Sequence, residues 1–213
     1  MKLAVFGATG GTGQEIVRQA LADGHDVVAA VRAPGRLAVS HPRLDIAPVP
    51  DVTDVARVRE VVDGRDAVLS ALGTTNKSAG IVAPAARAVA EAMSTAGVRR
   101  LLIVSAVPVG PMAAGESLAY RAVLHPIVSR AFRAVYRDLA EMERIVTASG
   151  LDWTVVRPPR LLDKPPSHRY ERVIGANVPG GRSLARADLA HAMLAMLDDE
   201  ETVRRPVGVA TAS

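Results

Sequence analysis

The sequence predicts an α/β protein built on a doubly wound, mostly parallel sheet, and three observations carry that prediction. Short runs rich in valine, isoleucine and leucine alternate along the chain with segments whose apolar residues recur at helical spacing, the order expected of parallel strands joined by crossover helices. The first such strand delivers the backbone into a glycine-rich turn, Gly7 to Gly13, that opens the first helix. At 213 residues, with 49% hydrophobic and only 3% aromatic residues, the chain suffices for one aliphatic core and a small C-terminal substrate region, not for a second core. Residues 1–213 therefore read as one domain.

The stretch Lys2 to Gly13, KLAVFGATGGTG, points to a cofactor before it points to a reaction. Leu3 to Phe6 is an apolar strand, and Gln14 to Asp23 carries Ile16, Val17, Ala20 and Leu21 at helical spacing. Gly7 lets the chain leave the strand tightly, Gly10 lacks a Cβ where a pyrophosphate must approach, and Gly13 lets the helix pack close to the sheet. The first amides of the helix have no intrahelical partner and lie at the positive end of its dipole, which suits a phosphate. Gly11 belongs to this set, and Thr9 and Thr12 offer hydroxyl donors. The spacing is GxxGxxG rather than GxGxxG, and the bland alternative is a glycine-rich turn that binds nothing.

With VFGATGGTG at residues 5–13, LLIVSA at 101–106 and ASGLDWTVVRPPRL at 148–161, the chain resembles the atypical short-chain dehydrogenase/reductase superfamily, in particular its NmrA-like and biliverdin reductase B (flavin reductase) branch. The order of elements agrees over nearly the whole chain. The resemblance implies a Rossmann-type fold and a nicotinamide cofactor.

After the first helix, Asp23-Gly24-His25 is a turn signal, and Asp26 to Val31 reads as a buried second strand. An acid at the end of this strand would hydrogen-bond the ribose hydroxyls of NAD, whereas an arginine accommodates a 2′-phosphate. Here the residue is Arg32, with Arg36 in the loop beyond, so NADPH is expected over NADH; a solvated arginine at a strand end is the alternative. Leu44 to Val49 is the expected third strand. The resemblance implies that Asp51 meets the adenine and that Val52 adds a backbone contact. Asp51 equally suits the cap of the helix from Thr53 to Val62, where Thr53 and Asp54 compete for the same role. Asp66 to Leu72 is the fourth strand; by the resemblance its end, Leu72 and Gly73, lies under the cofactor's ribose and nicotinamide.

Lys77 to Ala96 reads as a long alanine-rich helix closed by Gly97, with Pro84 in its first turn. Arg99 to Val107 is the fifth strand, and Ser105 falls at its carboxyl end, where such sheets bind ligands. Ser105 matches the serine of the family's VSA signature and is the one side chain expected near the reacting atoms, bonded to substrate or to the nicotinamide amide; a capping hydroxyl is the alternative. Residues 108–126, which include Glu116, Tyr120 and His125, are long enough for a lid or binding loop. Ile127 to Ser149 is a helix whose Arg130, Arg133, Arg137 and Arg144, countered by Asp138, Glu141 and Glu143, predict a solvated face. Trp153 to Val156 forms the sixth strand, ending in Arg157-Pro158-Pro159; the resemblance puts the two prolines beside the nicotinamide, and Arg157 and Pro158 are expected among the cofactor-binding residues. Residues 158–182 make a second substrate-side insertion, with a possible strand at Tyr170 to Ile174. Ala187 to Leu197 is the final helix, and Val207 to Val209 an edge strand.

Composition excludes several chemistries. The absence of cysteine removes disulfides, thiolate metal sites and a cysteine nucleophile, and the 5 histidines show no metal-ligand spacing, so no metal is expected. The formal charge of +4 is spread over arginines interleaved with acids, which argues against nucleic acid. No apolar run reaches membrane-spanning length, and Lys2 precedes too short an apolar run for a signal peptide, so a cytoplasmic protein acting on a small molecule is expected. Carbonyl reductases of the wider superfamily use a tyrosine and a lysine four residues later, the cation lowering the phenol's pKa. Here Tyr120, Tyr136 and Tyr170 are followed at that distance by Leu124, Ala140 and Ile174. Hydride transfer does not need the pair, because the cofactor carries it, and flavins, quinones, tetrapyrroles or activated alkenes take their proton from water. An NADPH-dependent reductase of such an acceptor is therefore expected. The alternatives are a non-catalytic NADP(H) sensor acting through a protein partner and a nicotinamide-dependent epimerase or isomerase.

Overall fold

A computed structural model describes residues 1–73, 79–111, 130 and 132–212. Its main sheet contains β1 (Lys2–Phe6), β2 (Asp26–Val31), β3 (Leu44–Pro48), β4 (Ala67–Ser70), β5 (Arg100–Val104), β6 (Asp152–Arg157), β8 (Tyr170–Ile174) and β10 (Arg205–Thr211), in the order β3-β2-β1-β4-β5-β6-β10-β8. Every pairing is parallel except that of β10 with β8. Strand order reverses between β1 and β4, which makes their carboxyl ends the switch point of a Rossmann-type sheet. A separate parallel pair joins β7 (Arg160–Leu162) to β9 (Ser183–Ala185).

The strands are buried on both faces because alternate side chains enter two different helical layers. Ala4, Phe6, Leu101 and Ile103 pack with α2 (Val55–Val62), α3 (Val82–Ala96) and α4 (Arg133–Thr147). Leu3, Val5 and Leu102 pack on the other side with α1 (Gly11–Ala22) and α5 (Arg186–Ala195), whose Ile16, Val17, Leu189 and Met193 are fully covered. Glycine closes α3 as the sequence predicts: Gly97 has φ 74°, and its amide bonds the carbonyl of Met93.

Four expectations are corrected. Val207 to Val209 is not an edge strand; it lies within β10, between β6 and β8, because the chain after residue 169 returns antiparallel and makes β8 the edge. The helix expected from Lys77, a residue outside those described, is α3 from Val82, after Gly80 turns the backbone at φ 98°. The fifth strand stops at Val104 instead of Val107, and Val107–Val109 form a 3-10 turn. On α4 the arginines are exposed, but Asp138 and Glu143 are buried, so the face is not uniformly solvated. Asp138 reaches across to cap α3, accepting from the amides of Gly80 at 2.8 Å, Val82 at 3.1 Å and Ala83 at 2.9 Å. That satisfies helix-end donors for which the N-cap residue Ile81 offers no side-chain acceptor. Within the expected loop 108–126, Glu116, Tyr120 and His125 lie outside the described residues.

Candidate functional site

A cavity of about 530 Å³ opens at the switch point, within the roughly 300–1,000 Å³ range of small-molecule sites. It is lined by Gly7, Thr9 and Gly10 after β1, by Arg32 and Arg36 beyond β2, by Asp51 and Val52 beyond β3, and by Leu72 and Gly73 beyond β4. Residues distant in sequence are thus brought to one crevice by the parallel register of four neighbouring strands.

The turn has the geometry of an anion cradle. Gly7 has φ 76°, and a Cβ there would lie 2.7 Å from the backbone of Ala71 and Leu72. A Cβ on Gly13 would lie 2.1 Å from the carbonyl oxygen of Gly7 and 2.8 Å from Ala8 Cα, so only glycine lets the first turn of the helix approach the backbone that leaves β1. Gly10 donates to the Gly7 carbonyl at 2.9 Å, and among the described residues a Cβ on it would touch only that oxygen, at 3.3 Å. The first helical bond of α1 is Gln14 N–H to the Gly10 carbonyl at 2.9 Å; the amides of Gly11, Thr12 and Gly13 have no acceptor among the described residues. With no acid in the first turn, these donors and the helix dipole favour an anion. The side chain of Thr12 is buried in α1 and, like Gly11 and Gly13, is not among the cavity's lining residues, so of the two threonines only Thr9 faces the crevice.

Asp51 does not cap α2. That role belongs to Asp54, which accepts from Ala56 N at 3.0 Å and Arg57 N at 3.3 Å. Asp51 instead accepts from the Thr53 hydroxyl at 2.6 Å and amide at 2.8 Å, and these bonds hold its carboxyl below the usual range. It therefore presents an ionised acceptor at the cavity. Arg32 and Arg36 are exposed at the cavity, and neither guanidinium has a hydrogen-bond or ion-pair partner among the described residues.

Ser105, Arg157 and Pro158 form a second group, outside the cavity lining. Ser70 of β4 is opposite Ile103 of β5, so Ser105 lies one strand over from Leu72. Its hydroxyl donates to Glu143 Oε1 at 2.5 Å, and Arg157 grips the same carboxylate through Nε at 3.0 Å and Nη2 at 2.5 Å. The two charged side chains are 9% and 11% exposed, so this is a buried ion pair with the serine proton committed to it. Ser105 can then meet a ligand only as an acceptor. The backbone continues the link: Ser105 N donates to the Val156 carbonyl at 2.7 Å, and Val107 N to that of Pro158 at 3.1 Å. Sequence reading missed Glu143. The available signal was its spacing with Leu139, Met142 and Val146, which puts a carboxylate on the buried stripe of its helix.

Among the described residues no cluster of three or more histidines or acids could hold a metal, and no helix is long and apolar enough to cross a membrane. Residues 7–200 match the model of a family described as NAD(P)H-binding. Solved structures with a similar fold include a short-chain dehydrogenase/reductase from Veillonella parvula in complex with NADP, at 17% identity and a TM-score of 0.83 over 100% of this chain and 95% of that one. ChuY, an anaerobillin reductase from Escherichia coli, is similar at 20% identity and a TM-score of 0.81 over 100% and 98% of the two chains. A putative exported protein from Burkholderia pseudomallei shares 27% identity, with a TM-score of 0.80 over 99% of each chain.

Proposed function

The chain belongs to the NAD(P)H-binding family, and from that premise we propose that it is an NADPH-dependent oxidoreductase passing hydride to a small conjugated acceptor of flavin, quinone, tetrapyrrole or activated-alkene type. The family match and the fold likenesses fit the resemblance to atypical short-chain dehydrogenase/reductases. The observation that carries the cofactor assignment is the crevice itself, where Gly7, Thr9 and Gly10 of the glycine turn share one cavity with Arg32 and Arg36, two arginines without a partner among the described residues.

In this reading the amides of Gly11, Thr12 and Gly13 hold the diphosphate, with Thr9 and Gly10 beside it. Arg32 and Arg36 take the 2′-phosphate, Asp51 and Val52 the adenine, and Leu72 and Gly73 the nicotinamide ribose. Ser105 accepts a hydrogen bond from the carboxamide, since its own proton is held by Glu143. Arg157 acts through Glu143, and Pro158 offers an apolar wall without an amide donor. The bound cofactor supplies the hydride; the chain orients it and excludes water. The missing Tyr and Lys pair supports an acceptor that takes its proton from solvent. Neither nucleic acid nor membrane enters this reading, which places the enzyme in the cytoplasm.

The test is steady NADPH oxidation against a panel of flavins, quinones and biliverdin-type tetrapyrroles. Turnover with at least one acceptor is expected. Tight NADPH binding without turnover on any acceptor would favour the non-catalytic sensor, and cofactor that copurifies and survives gel filtration would favour the epimerase.

A further inference from the structure

The first turn of α1 is flanked on its other side by a second hollow of about 360 Å³, whose lining includes Gly11, Asp163, Lys164 and Arg186 together with Glu15 and Arg18, which pair with each other. The cofactor assignment leaves these charged side chains unused. A Cβ on Gly11 would lie 2.7 Å from Arg186 Cδ and 2.9 Å from Nε, so the arginine stem crosses directly over the first residue of the helix. Any side chain at position 11 would displace it. The guanidinium has five donors, and among the described residues its one bond is from Nη1 to Asp163 Oδ1, at 2.9 Å.

We propose that Arg186 is a ligand of the cofactor's diphosphate, and that on cofactor binding it exchanges Asp163 for the phosphate oxygens; the inference rests on the cofactor reading above. Three features favour the exchange. Three unused amides already draw an anion to this turn, yet the helix end supplies only about half a charge against a doubly negative group. Arg32 and Arg36, on the opposite side, are taken by the 2′-phosphate. The ion pair to be broken is weak, because Asp163 is 87% exposed and such pairs contribute little in water, whereas a planar guanidinium meets phosphate through two parallel bonds. Topology gives the exchange a reach beyond the turn. Leu162 of β7 is opposite Ala185 of β9, so Asp163 and Arg186 emerge side by side from the small sheet, and Asp163 lies within the 158–182 segment expected to shape the acceptor site. Releasing Asp163 frees that segment when cofactor arrives.

Equilibrium titration of NADP⁺ and NAD⁺ by protein fluorescence tests this on wild type, Arg186→Leu, Arg186→Lys and Asp163→Asn, with thermal denaturation confirming that each is folded. Both cofactors carry the diphosphate, so Arg186→Leu should weaken both by the same factor, about ten- to a hundredfold, as expected for a charge-assisted contact. Arg186→Lys, which keeps the charge but loses the fork, should fall between. Asp163→Asn, by removing the competitor, should tighten both. If Arg186→Leu binds both cofactors as wild type does, or Asp163→Asn weakens them, the proposal is overturned; should the leucine variant fail to fold, the other two still decide. Wild type that binds neither cofactor would instead overturn the cofactor reading, and this proposal with it.

Discussion

Glu143→Gln should destabilise the fold by about 3–5 kcal/mol, the usual consequence of breaking a buried ion pair from one side. The structure sets the magnitude. Arg157 approaches the carboxylate through both Nε and Nη2, the two side chains are about nine-tenths buried, and Ser105 donates to the same Oε1. Glutamine has nearly the same shape, but it is neutral and turns an NH2 group toward a guanidinium, leaving a buried cation without a counterion. Against the 5–15 kcal/mol typical of a domain, roughly a third of the stability is at stake. Ser105→Ala removes one bond and leaves the ion pair, so about 1–3 kcal/mol is expected. The double variant Glu143→Met with Arg157→Met buries no charge and should be more stable than Glu143→Gln. Urea unfolding followed by circular dichroism at neutral pH measures all three. A Glu143→Gln unfolding free energy within about 1 kcal/mol of wild type would show that water reaches the pair, and the commitment of the Ser105 proton would fall with it.

Arg32→Ala should lower affinity for NADPH ten- to a hundredfold, about 1.5–3 kcal/mol, and leave NADH unchanged in parallel titrations; equal loss of both would remove the 2′-phosphate assignment. Once an acceptor is found, Tyr136→Phe should keep turnover within about tenfold, whereas loss of a true general acid costs 10²- to 10⁴-fold; Ser105→Ala should be slower than Tyr136→Phe. Asp188 accepts from Ser167 N at 2.8 Å, Ser167 Oγ at 2.7 Å and His168 N at 2.9 Å. Burial alone pushes its carboxyl up, but the bonds from Ser167 and His168 outweigh it and hold it below the ordinary value. Because the folded-state pKa is the lower one, this clamp contributes fully above the unfolded value near 3.9 and is lost as pH falls through the folded value. Asp188→Asn should therefore cost about 1–3 kcal/mol at pH 7, and the gap to wild type should narrow in urea melts run below about pH 4; a gap independent of pH would contradict this.

What the sequence conveyed best was whatever depends on local backbone chemistry. Gly7 at positive φ, the strand that feeds it and Arg32 at the end of β2 follow from neighbours in the chain, and the structure places them at one crevice. Contacts made by a remote partner were not legible. Asp138 and Glu143 look like ordinary members of a charged helix, and only amides of α3 or a guanidinium from β6 make their burial tolerable. Asp51 was open between two roles because three candidate caps follow one another, and the choice rests on which carboxylate meets the free amides of α2. The position of β10 inside the sheet depends on β8 returning antiparallel beside it, a pairing that apolar runs of similar length do not announce.

The central claim is that the crevice beside the glycine turn binds NADP(H), and it is tested most directly by titrating NADPH into wild type and Gly10→Val. Among the described residues the Cβ of the new side chain meets only the Gly7 carbonyl, at 3.3 Å, and Gly10 lines the cavity, so the fold should survive while the pyrophosphate's approach is blocked. Wild type is expected to bind with saturable fluorescence change and a raised melting temperature, and the folded variant to show neither. A variant that still binds NADPH with wild-type affinity would contradict the account.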